Sequence, residues 1–405
     1  MEWKVIKLGE LCRIELGKTP SRSNEFYWDK NKSGNNVWLS IADLPLSNGS
    51  IIYDSKEYIS NAGKQICKVV PKGTLIVSFK LSIGRLAITG RDLYTNEAIA
   101  SLYINEEKGV NQDYLCWYLT FFDWDLAAGN EVKLKGKTLN KAKLKEIEIL
   151  APSIPEQKRI VAILDQAFAD LEQVRAKTEQ NLKNARELFA SYLNEVFKNN
   201  ALGTEHDALN DICELIVDCE HKTAPKQETG YPSIRTPNIG KGVLILEGVN
   251  RVSEETYIAW TRRAIPKEGD LILAREAPAG NIAVIPKDVK VCLGQRTVLI
   301  RPKKDKLLSK YLAFLILSPK VQKQLLSHST GATVQHINMK DIRAFKIYNR
   351  PSLLEQEKIV SGIDKILNKT KKTETIYSQK IDNLDELKKS ILQKAFSGEL
   401  TAKAE

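Results

Sequence analysis

The chain has 405 residues, of which 42% are hydrophobic, and its 61 Lys and Arg outnumber its 50 Asp and Glu to give a net charge of +11. This length predicts two to four globular domains, and no run of about 18 apolar residues occurs that would predict a membrane-spanning helix. The charge favours a nucleic-acid partner and a merely basic protein about equally, because phosphates attract Lys and Arg but a basic surface alone identifies no ligand.

Residues 1–152 form a strand-rich and turn-rich region. The apolar run Leu75–Phe79 predicts a buried strand, and Gly73 and Gly84 on either side of it predict turns. A short helix is predicted at 113–122. Together these features predict an α+β domain with a mostly antiparallel sheet.

Residues 153–200 predict one long helix. Ser153 and Glu156 fit a capping box, in which a hydroxyl and a carboxylate satisfy exposed backbone amides reciprocally. A helix of about 40 residues is about 60 Å long, which is more than one preceding domain can cover. Apolar or small residues recur along it at steps of three and four, as in a coiled-coil seam: Ile160, Ile163, Ala167, Leu171, Val174, Thr178, Asn181, Ala185, Leu188 and Tyr192.

The rest of the chain repeats this order. Pro152–Val161, with the sequence PSIPEQKRIV, returns as Pro351–Val360, with the sequence PSLLEQEKIV, at a shift of 199 residues. Weaker echoes upstream occur in the same order, and the strand at Leu75–Phe79 has its counterpart at Leu271–Ala274. Residues 201–351 therefore predict a second α+β domain, with a helical region at 308–326. The chain is a tandem duplication of a unit of about 200 residues.

Residues 352–405 predict a second long helix, which begins with the capping-box pair Ser352 and Glu355. Because the first helix leaves the first domain and the second leaves the second in the equivalent way, the two are expected to pair antiparallel, with pseudo-two-fold symmetry and the C-terminus near the N-terminus. The alternative is that each helix packs on its own domain. The second seam is Ile359, Ile363, Ile366, Thr370, Thr373, Tyr377, Ile381, Leu384, Lys388 and Ile391, with a phase slip around Tyr377–Ile381.

No motif for chemistry is found. The six cysteines are scattered without a C-x-x-C pair, the four histidines lack the spacing of metal ligands or of a catalytic triad, and no phosphate-binding loop or dinucleotide fingerprint occurs. We therefore expect no catalytic residue, no metal and no cofactor bound by this chain. The start Met1-Glu2-Trp3-Lys4 has no apolar signal core, so a cytoplasmic location is expected.

Candidate DNA-contacting residues lie in turns after the predicted strands. Arg can donate two hydrogen bonds to guanine, Asn and Gln match adenine, and Lys suits phosphates. Any one of these side chains is more simply explained as a solvated surface residue, but clusters at equivalent places in both halves favour a binding role. The candidates are Lys80, Ser82, Arg85, Asn96, Glu97, Lys133, Lys135 and Lys137 in the first half, and Arg235, Arg275, Asn281, Gln295 and Arg296 in the second.

The whole chain resembles the specificity subunits of type I restriction-modification systems. The features that carry the resemblance are the order of domain and helix, repeated once, and the helix starts at Glu156-Gln157 and Glu355-Gln356. The segments Ile76–Lys80, Ile83–Ala87, Gly294–Arg296 and Phe396–Leu400 also look like that family.

The resemblance implies that residues 1–152 and 201–351 are target-recognition domains and that 153–200 and 352–405 are spacer helices. It implies a non-catalytic subunit that binds a bipartite, asymmetric site in double-stranded DNA, one half-site per domain. It also implies partners: two modification (methyltransferase) subunits, which bring S-adenosylmethionine, and restriction (translocase/nuclease) subunits, which bring ATP and magnesium. Two alternatives remain open, a self-contained DNA-modifying enzyme with an unrecognised site and a coiled-coil structural adaptor.

Overall fold

The computed structural model of the chain describes residues 3–45, 49–128, 132–133, 136–198, 205–276, 279–327 and 336–401, with the side chains of 106, 132–133 and 136–138 outside the description. Its residues group into two compact units. Unit 1 comprises residues 1–176 and 381–405, and unit 2 comprises residues 177–380. Each unit therefore contains one α+β repeat together with a part of each long helix.

In the first repeat, short strands alternate with short helices before the long helix α6. The strands are β1 (Lys4–Lys7), β2 (Cys12–Leu16), β3 (Val37–Leu39), β4 (Ser50–Ile52), β5 (Glu57–Tyr58), β6 (Leu75–Ser78), β7 (Lys80–Leu81), β8 (Leu86–Thr89), β9 (Tyr94–Thr95), β10 (Ile99–Ile104), β11 (Val132–Lys133), β12 (Gly136–Thr138) and β13 (Glu148–Ala151). The helices are α1 (Leu8–Leu11), α2 (Asn61–Ile66), α3 (Gln112–Phe121), α4 (Trp124–Ala128), α5 (Lys141–Lys145) and α6 (Ile154–Val196).

The second repeat has the same order and ends in the long helix α12. Its strands are β14 (His206–Ala208), β15 (Cys213–Asp218), β16 (Tyr231–Ile234), β17 (Gly242–Val243), β18 (Arg251–Val252), β19 (Leu271–Ala274), β20 (Ile282–Val284), β21 (Cys292–Leu293), β22 (Thr297–Pro302) and β23 (Lys346–Tyr348). Its helices are α7 (Leu209–Ile212), α8 (Glu254–Thr261), α9 (Ser309–Leu317), α10 (Pro319–Leu326), α11 (Met339–Arg343) and α12 (Leu353–Ser397). The region 308–326, predicted as helical, is thus two helices, because Pro319 cannot continue α9 and instead starts α10.

Each repeat is built on a five-stranded sheet with one topology. The strand order is β2-β10-β6-β8-β4 in the first repeat and β15-β22-β19-β20-β17 in the second. Neighbours pair antiparallel except at one edge, where β4 runs parallel to β8 and β17 runs parallel to β20. The prediction of an α+β fold with a mostly antiparallel sheet is confirmed, and so is the internal repeat.

The central strands are buried on both faces. Along β6, Leu75 and Val77 face the core that holds the helices, whereas Ile76 faces a second, smaller core. Along β19, Leu271 and Leu273 alternate with Ile272 in the same way. This alternation follows from the two-residue period of a strand and explains why both strands appear in the sequence as continuous apolar runs.

The turn after each central strand needs a glycine. Gly84 and Gly280 have φ angles of +84° and +85°, in the left-handed region. A Cβ atom at Gly84 would come within 2.4 Å of the Trp124 ring, and one at Gly280 within 2.5 Å of the Gln322 amide. The two glycines donate equivalent backbone hydrogen bonds, to Ser78 at 2.8 Å and to Ala274 at 2.9 Å.

The two long helices run antiparallel in both units. In unit 1, Glu172 and Arg175 of α6 form ion pairs with Lys388 and Asp385 of α12, so residue numbers rise on one helix as they fall on the other. In unit 2, Arg186 Nε lies 3.8 Å from Glu374 Oε1, which continues the same order. The predicted antiparallel pairing is confirmed.

The second predicted seam is correct and the first is wrong in part. Every position of the second seam is buried or half-buried. On α6, Val174, Asn181 and Leu188 are exposed, Leu188 by 65%. After Leu171 the steps of three and four come in the opposite order: Thr178, Ala185 and Tyr192 are covered as predicted, but the covered positions between them are Arg175, Leu182 and Phe189.

The two ends of the chain meet in unit 1. The ring of Trp3 lies against Gly398, where a Cβ atom would be 3.5 Å from the indole. Arg159 Nη1 also donates to the Thr401 carbonyl at 3.4 Å. The expected return of the C-terminal helix to the start of the chain is confirmed.

Candidate nucleic-acid interface

The candidate residues of each repeat gather at one end of its five-stranded sheet. We call loop edge 1 the residues 79–85, 96–98 and 138, and loop edge 2 the residues 275–276, 279–281, 294–296 and 336. In both, the segment after the central strand is hydrogen-bonded to the segment before the neighbouring strand: Phe79 N donates to Ala98 O at 3.1 Å, and Arg275 N donates to Arg296 O at 2.9 Å. The two edges are therefore structural counterparts.

Backbone register fixes which residues correspond. Ser78 N donates to Arg85 O at 2.9 Å and Ala274 N donates to Asn281 O at 2.8 Å, so Arg85 is equivalent to Asn281. The bonds of Phe79 and Arg275 make those two residues equivalent. The remaining equivalences follow by counting along the chain: Lys80 with Glu276, Asn96 with Gly294, Glu97 with Gln295, and Ala98 with Arg296.

Loop edge 1 presents two cationic side chains and one exposed hydroxyl. Lys80 is half-buried, with its ammonium 5.3 Å from the centre of the Phe79 ring. Arg85 is half-buried and Ser82 is exposed. Asn96 turns inward instead: its Oδ1 accepts from Ala98 N at 3.1 Å, which holds the loop before β10. Asn96 is therefore in place to shape this edge as well as to line it.

The Lys-rich segment predicted to face phosphates is only partly described. Lys133 lies in β11 and Lys137 in β12, and β12 pairs with β7 so that Lys137 is opposite Leu81. The backbone of this hairpin thus adjoins loop edge 1. The side chains of Lys133 and Lys137 and the whole of Lys135 lie outside the described residues, so their contact with phosphate stays a prediction.

In loop edge 2, Asn281 and Gln295 support the loops with their amides. Asn281 Nδ2 donates to Ile239 O at 3.0 Å, and Gln295 Nε2 donates to His221 O at 3.2 Å. Both side chains remain half-buried. Arg235 is exposed beside them, and its Cγ lies so near Gly294 that a Cβ there would be 2.5 Å away. The structure therefore brings Arg235 to the same edge.

Arg275 does not fit its predicted role as a base-contacting residue. Only 7% of it is exposed, and all three guanidinium nitrogens are engaged. Nη1 donates to Asp218 Oδ2 at 2.5 Å, Nε donates to Ile337 O at 2.9 Å, and Nη2 lies 2.8 Å from His336 Nε2. Its counterpart in the first repeat is the buried ring of Phe79. Arg275 is therefore an internal support of the edge, because its guanidinium is almost fully buried and each of its three nitrogens already contacts the protein.

Arg296 is the exposed arginine of this edge. Its side chain is 62% exposed and its Nε lies 2.8 Å from Glu276 Oε2. Its φ angle of +67° is in the left-handed region. A residue other than glycine pays of order 1–3 kcal/mol there, and such strain concentrates at functional sites.

The helix-start motif is structural and identical in the two repeats. Gln157 is fully buried: its Oε1 accepts from Asn111 N at 2.8 Å and its Nε2 donates to the carbonyls of Gly109 and Pro152, each at 2.8 Å. Gln356 makes the same three bonds, accepting from Leu308 N at 2.8 Å and donating to Lys306 and Pro351. Each glutamine therefore fastens the start of a long helix to the loop that precedes a shorter helix of the same repeat, α3 in the first repeat and α9 in the second.

The two glutamates of that motif lie at the helix starts. Glu355 accepts from both the backbone N and the hydroxyl of Ser352, at 2.9 and 2.7 Å, which confirms the second capping box. The hydrogen bonds from Ser352 lower the pKa of Glu355. Glu156 lies 3.9 Å from Arg159 Nη1, one turn along α6.

Sequence reasoning missed two clusters near these edges. The guanidinium of Arg22 lies 4.2 Å from the Trp28 ring centre and 4.7 Å from that of Trp38, and it pairs with Glu57. In loop edge 2, His336 Nδ1 lies 2.9 Å from Glu276 Oε1. Neither cluster has a sequence signal, because the partners are separated by up to 60 residues.

Among the described residues, no three His, Cys, Asp or Glu side chains are grouped as metal ligands. Within the same residues, no helix combines the length and the apolar character needed to cross a membrane. The described cysteines are free thiols.

Two copies of one α+β domain, each carrying basic and amide side chains at the same sheet edge, define a tandem recognition protein. Comparison with known proteins identifies the family. The description "Type I restriction modification DNA specificity domain" matches residues 1–183 and again 203–382. The chain belongs to this family, with two copies of its domain. The prediction of a specificity subunit rather than an enzyme is confirmed by that membership.

Curated relatives are specificity subunits of type I restriction enzymes. The chain is 30% identical over 275 residues to the type I restriction enzyme MjaIX specificity subunit of Methanocaldococcus jannaschii. The aligned region covers 60% of this chain and 60% of that protein. It is 23% identical over 340 residues to the EcoBI specificity subunit of Escherichia coli, covering 76% of this chain and 69% of the relative. The chain thus spans about 60% of the length of the first relative.

Solved structures share the fold over nearly the whole chain. One, described as "Structural basis underlying complex assembly and conformational transition of the type I R-M system", has a TM-score of 0.76 at 19% identity and covers 98% of both chains. The HsdS subunit from Thermoanaerobacter tengcongensis has a TM-score of 0.60 at 21% identity, covering 98% of this chain and 97% of that one.

Proposed function

We propose that this chain selects the DNA sequence on which a type I restriction-modification complex acts, and that each repeat reads one half of a bipartite, asymmetric site. The observation that carries the proposal is that two equivalent sheet edges, fixed by the same backbone hydrogen bonds, bear different side chains. A shared scaffold supports one docking geometry, whereas different side chains at its edge read different bases.

The asymmetry can be followed position by position. Arg85 of loop edge 1 stands where loop edge 2 has Asn281; an arginine suits guanine, whereas Asn281 already uses one amide donor to hold the loop at Ile239. Lys80 stands where the second repeat has the carboxylate of Glu276. A protein with two identical edges would favour a palindromic site, so these differences support an asymmetric one.

The partners are part of the proposal. Two modification subunits would supply S-adenosylmethionine and adenine methylation, and restriction subunits would supply ATP-driven movement and magnesium-dependent cleavage. The target adenine has to leave the base stack before it is methylated, and the pocket for it would belong to the modification subunit. We infer a cytoplasmic location for the assembly.

The test is to map methylated adenines in DNA exposed to the assembled complex. We expect one bipartite asymmetric motif. Exchanging residues 1–152 for the equivalent domain of a relative should change one half of that motif and leave the other half intact. A change in both halves, or no motif at all, would contradict the proposal.

The long helices give a second test. If they set the gap between half-sites, inserting seven residues in each helix should lengthen the unspecified spacer and keep both half-sites. The same complex with a seven-residue insertion in one helix alone is the matched control and should assemble poorly, because the antiparallel pairing loses its register. Unaltered spacing in the doubly extended protein would refute the measuring role of the helices.

The two other candidate functions predict different results. A self-contained enzyme would turn over S-adenosylmethionine or cleave DNA as the purified chain with metal ions. A structural adaptor would assemble with partners without any sequence-dependent, salt-sensitive DNA binding. Neither has a specific observation in its favour among the described residues.

A further inference from the structure

Glu276 joins an exposed arginine to a partly buried network in loop edge 2. One carboxylate oxygen lies 2.8 Å from Arg296 Nε and the other lies 2.9 Å from His336 Nδ1. The Glu276 side chain is only 18% exposed, whereas that of Arg296 is 62% exposed. Glu276 therefore contacts His336 through one carboxylate oxygen and a solvent-exposed arginine through the other.

The histidine behind Glu276 is fixed in turn. Arg275 Nη2 lies 2.8 Å from His336 Nε2, and Arg275 is itself anchored by Asp218 and by the carbonyl of Ile337. With a guanidinium on one ring nitrogen and a carboxylate on the other, the geometry favours the tautomer in which Nδ1 donates to Glu276. The orientation of Glu276 is therefore restrained by a chain of partly buried contacts.

This arrangement restrains Arg296 at one nitrogen. The contact to Glu276 is made at Nε, which leaves the two Nη groups at the tip of the guanidinium as a planar fork. A fork held in this way matches the two acceptors of guanine, O6 and N7, and loses little rotamer entropy on binding. A phosphate contact has no need of such directional restraint.

The first repeat has no counterpart of the Glu276–Arg296 pair at the equivalent positions. The positions equivalent to Glu276, Arg275 and Arg296 are Lys80, Phe79 and Ala98, so neither the carboxylate nor the exposed arginine is present there. The left-handed φ of +67° at Arg296 also distinguishes the second repeat. The network is thus specific to one of two otherwise equivalent edges, as a determinant of one half-site has to be.

We propose that Arg296 reads a guanine in the half-site of the second repeat through its two Nη groups, with Glu276 as the positioning residue that orients it. This proposal rests on the proposed function and names a base for one of its half-sites. His336 and Arg275 act through Glu276 and do not touch DNA.

The experiment uses the assembled modification complex with R296A, R296K, E276Q and the double variant R296A/E276Q, and scores adenine methylation on a library randomised in both half-sites. For R296A we expect one G·C position in one half-site to lose discrimination by roughly 5- to 150-fold, the change that corresponds to about 1–3 kcal/mol. R296K should not restore it, because an ammonium lacks the fork.

E276Q should relax the same position, by a smaller factor than R296A, and should add nothing in the R296A background. A structural role for Glu276 would give an additive loss at several positions together with a lower melting temperature, and that result would overturn the positioning role. Uniform weakening of all sequences by R296A, with a lower salt dependence, would mean a phosphate contact and would overturn the guanine assignment.

R13A is the matched control. Arg13 is also an exposed arginine paired with a glutamate, Glu15, but it lies opposite Tyr103, toward the end of the sheet away from loop edge 1. It should leave the motif unchanged. If the wild-type complex yields no motif, the proposed function fails; if the wild type yields one and R296A leaves it unaltered, only the present inference fails.

Discussion

The ring of Tyr114 in the first repeat packs edge-on against Phe396 at the end of α12, with ring centres 5.7 Å apart and planes inclined at 69°. The second repeat has the same contact between Tyr311 and Phe197 at the end of α6, at 5.5 Å and 72°. Each unit thus completes its core with the last turns of the helix that follows the other repeat. Each core therefore combines the start of the long helix that follows its own repeat with the end of the other long helix.

Replacing either phenylalanine by alanine should destabilise its own unit. We expect F396A to cost about 3–5 kcal/mol in the free energy of unfolding of unit 1, and F197A to cost a similar amount in unit 2, because both rings are buried among aromatic neighbours. Hydrogen exchange resolved by peptide would assign each loss to its unit. The exposed Leu188 of α6 provides the control, since L188A should change stability by less than about 0.5 kcal/mol. Equal deprotection of both units by one substitution would contradict the assignment.

The paired glutamine clamps should have equal effects. Q157A removes the acceptor for Asn111 N and the donor for two carbonyls, and Q356A does the same around Leu308 N. Each should cost about 1–3 kcal/mol or more, because buried polar groups are left without partners. The measurement is denaturant unfolding, with Q166A, at an exposed position of α6, as the control. If Q157A lowers the free energy of unfolding no more than Q166A does, water must be replacing the hydrogen bonds of Gln157.

Replacing Arg275 alone should destabilise the protein more than replacing Arg275 and Asp218 together. R275A leaves Asp218, whose side chain is 17% exposed, without its guanidinium and should destabilise the protein by about 1–3 kcal/mol. Leu16 is equivalent to Asp218, because Gly17 N donates to Ile99 O as Cys219 N donates to Thr297 O. The double variant D218L/R275F thus copies Leu16 and Phe79 of the first repeat and should recover most of that loss. Thermal unfolding of the three proteins measures this. A double variant less stable than R275A would mean that the network contributes stability beyond its pairing.

Stability should fall on the alkaline side because of buried thiols. Burial raises the pKa of Cys12, Cys116 and Cys213 to about 12 and that of Cys292 to about 11. Above about pH 9 the unfolded thiols ionise while the folded ones stay protonated, so each should remove on the order of 1 kcal/mol of stability per pH unit up to its folded pKa. The stabilisation is complete below the unfolded pKa and is lost as pH rises through this window.

The measurement for the thiols is the melting temperature between pH 8 and 10.5. C12A/C116A should flatten the decline relative to the wild type, whatever it does to stability at neutral pH. An identical slope in the double variant would assign the alkaline loss to tyrosines and lysines instead.

The repeat made most of the fold predictable. The shift of 199 residues aligned the starts of the two long helices, and the glutamine at each start makes the same three hydrogen bonds. The repeated sequence therefore reflects a repeated structural role for this glutamine. The second seam was correctly assigned because Ile363, Thr370 and Leu384 are distinctly less polar than their neighbours. On α6, Val174 and Leu188 are apolar and yet exposed, while Arg175 lies on the covered face through its pairing with Asp385. Hydrophobicity alone could not reveal that phase.

The sequence predicted where the candidate interface lies but not what each of its residues does there. Arg275 and Arg296 look alike in the sequence, yet one is an internal support and the other is exposed. The difference depends on Asp218 and His336, which lie 57 and 61 residues from Arg275. Long-range partners of this kind leave no local pattern, so residue type could indicate an edge of the sheet but not which side chain is free to bind.

The contribution of Phe396 to unit 1 has a consequence for biosynthesis. When a ribosome has completed the first repeat and the start of α6, the aromatic face around Tyr114 still lacks its cover, which lies about 200 residues further along the message. At about 5–20 residues per second, that surface waits about 10–40 s before α12 emerges. The first half of the polypeptide is thus made first but completes its core last, and its aromatic face stays exposed to solvent during that interval.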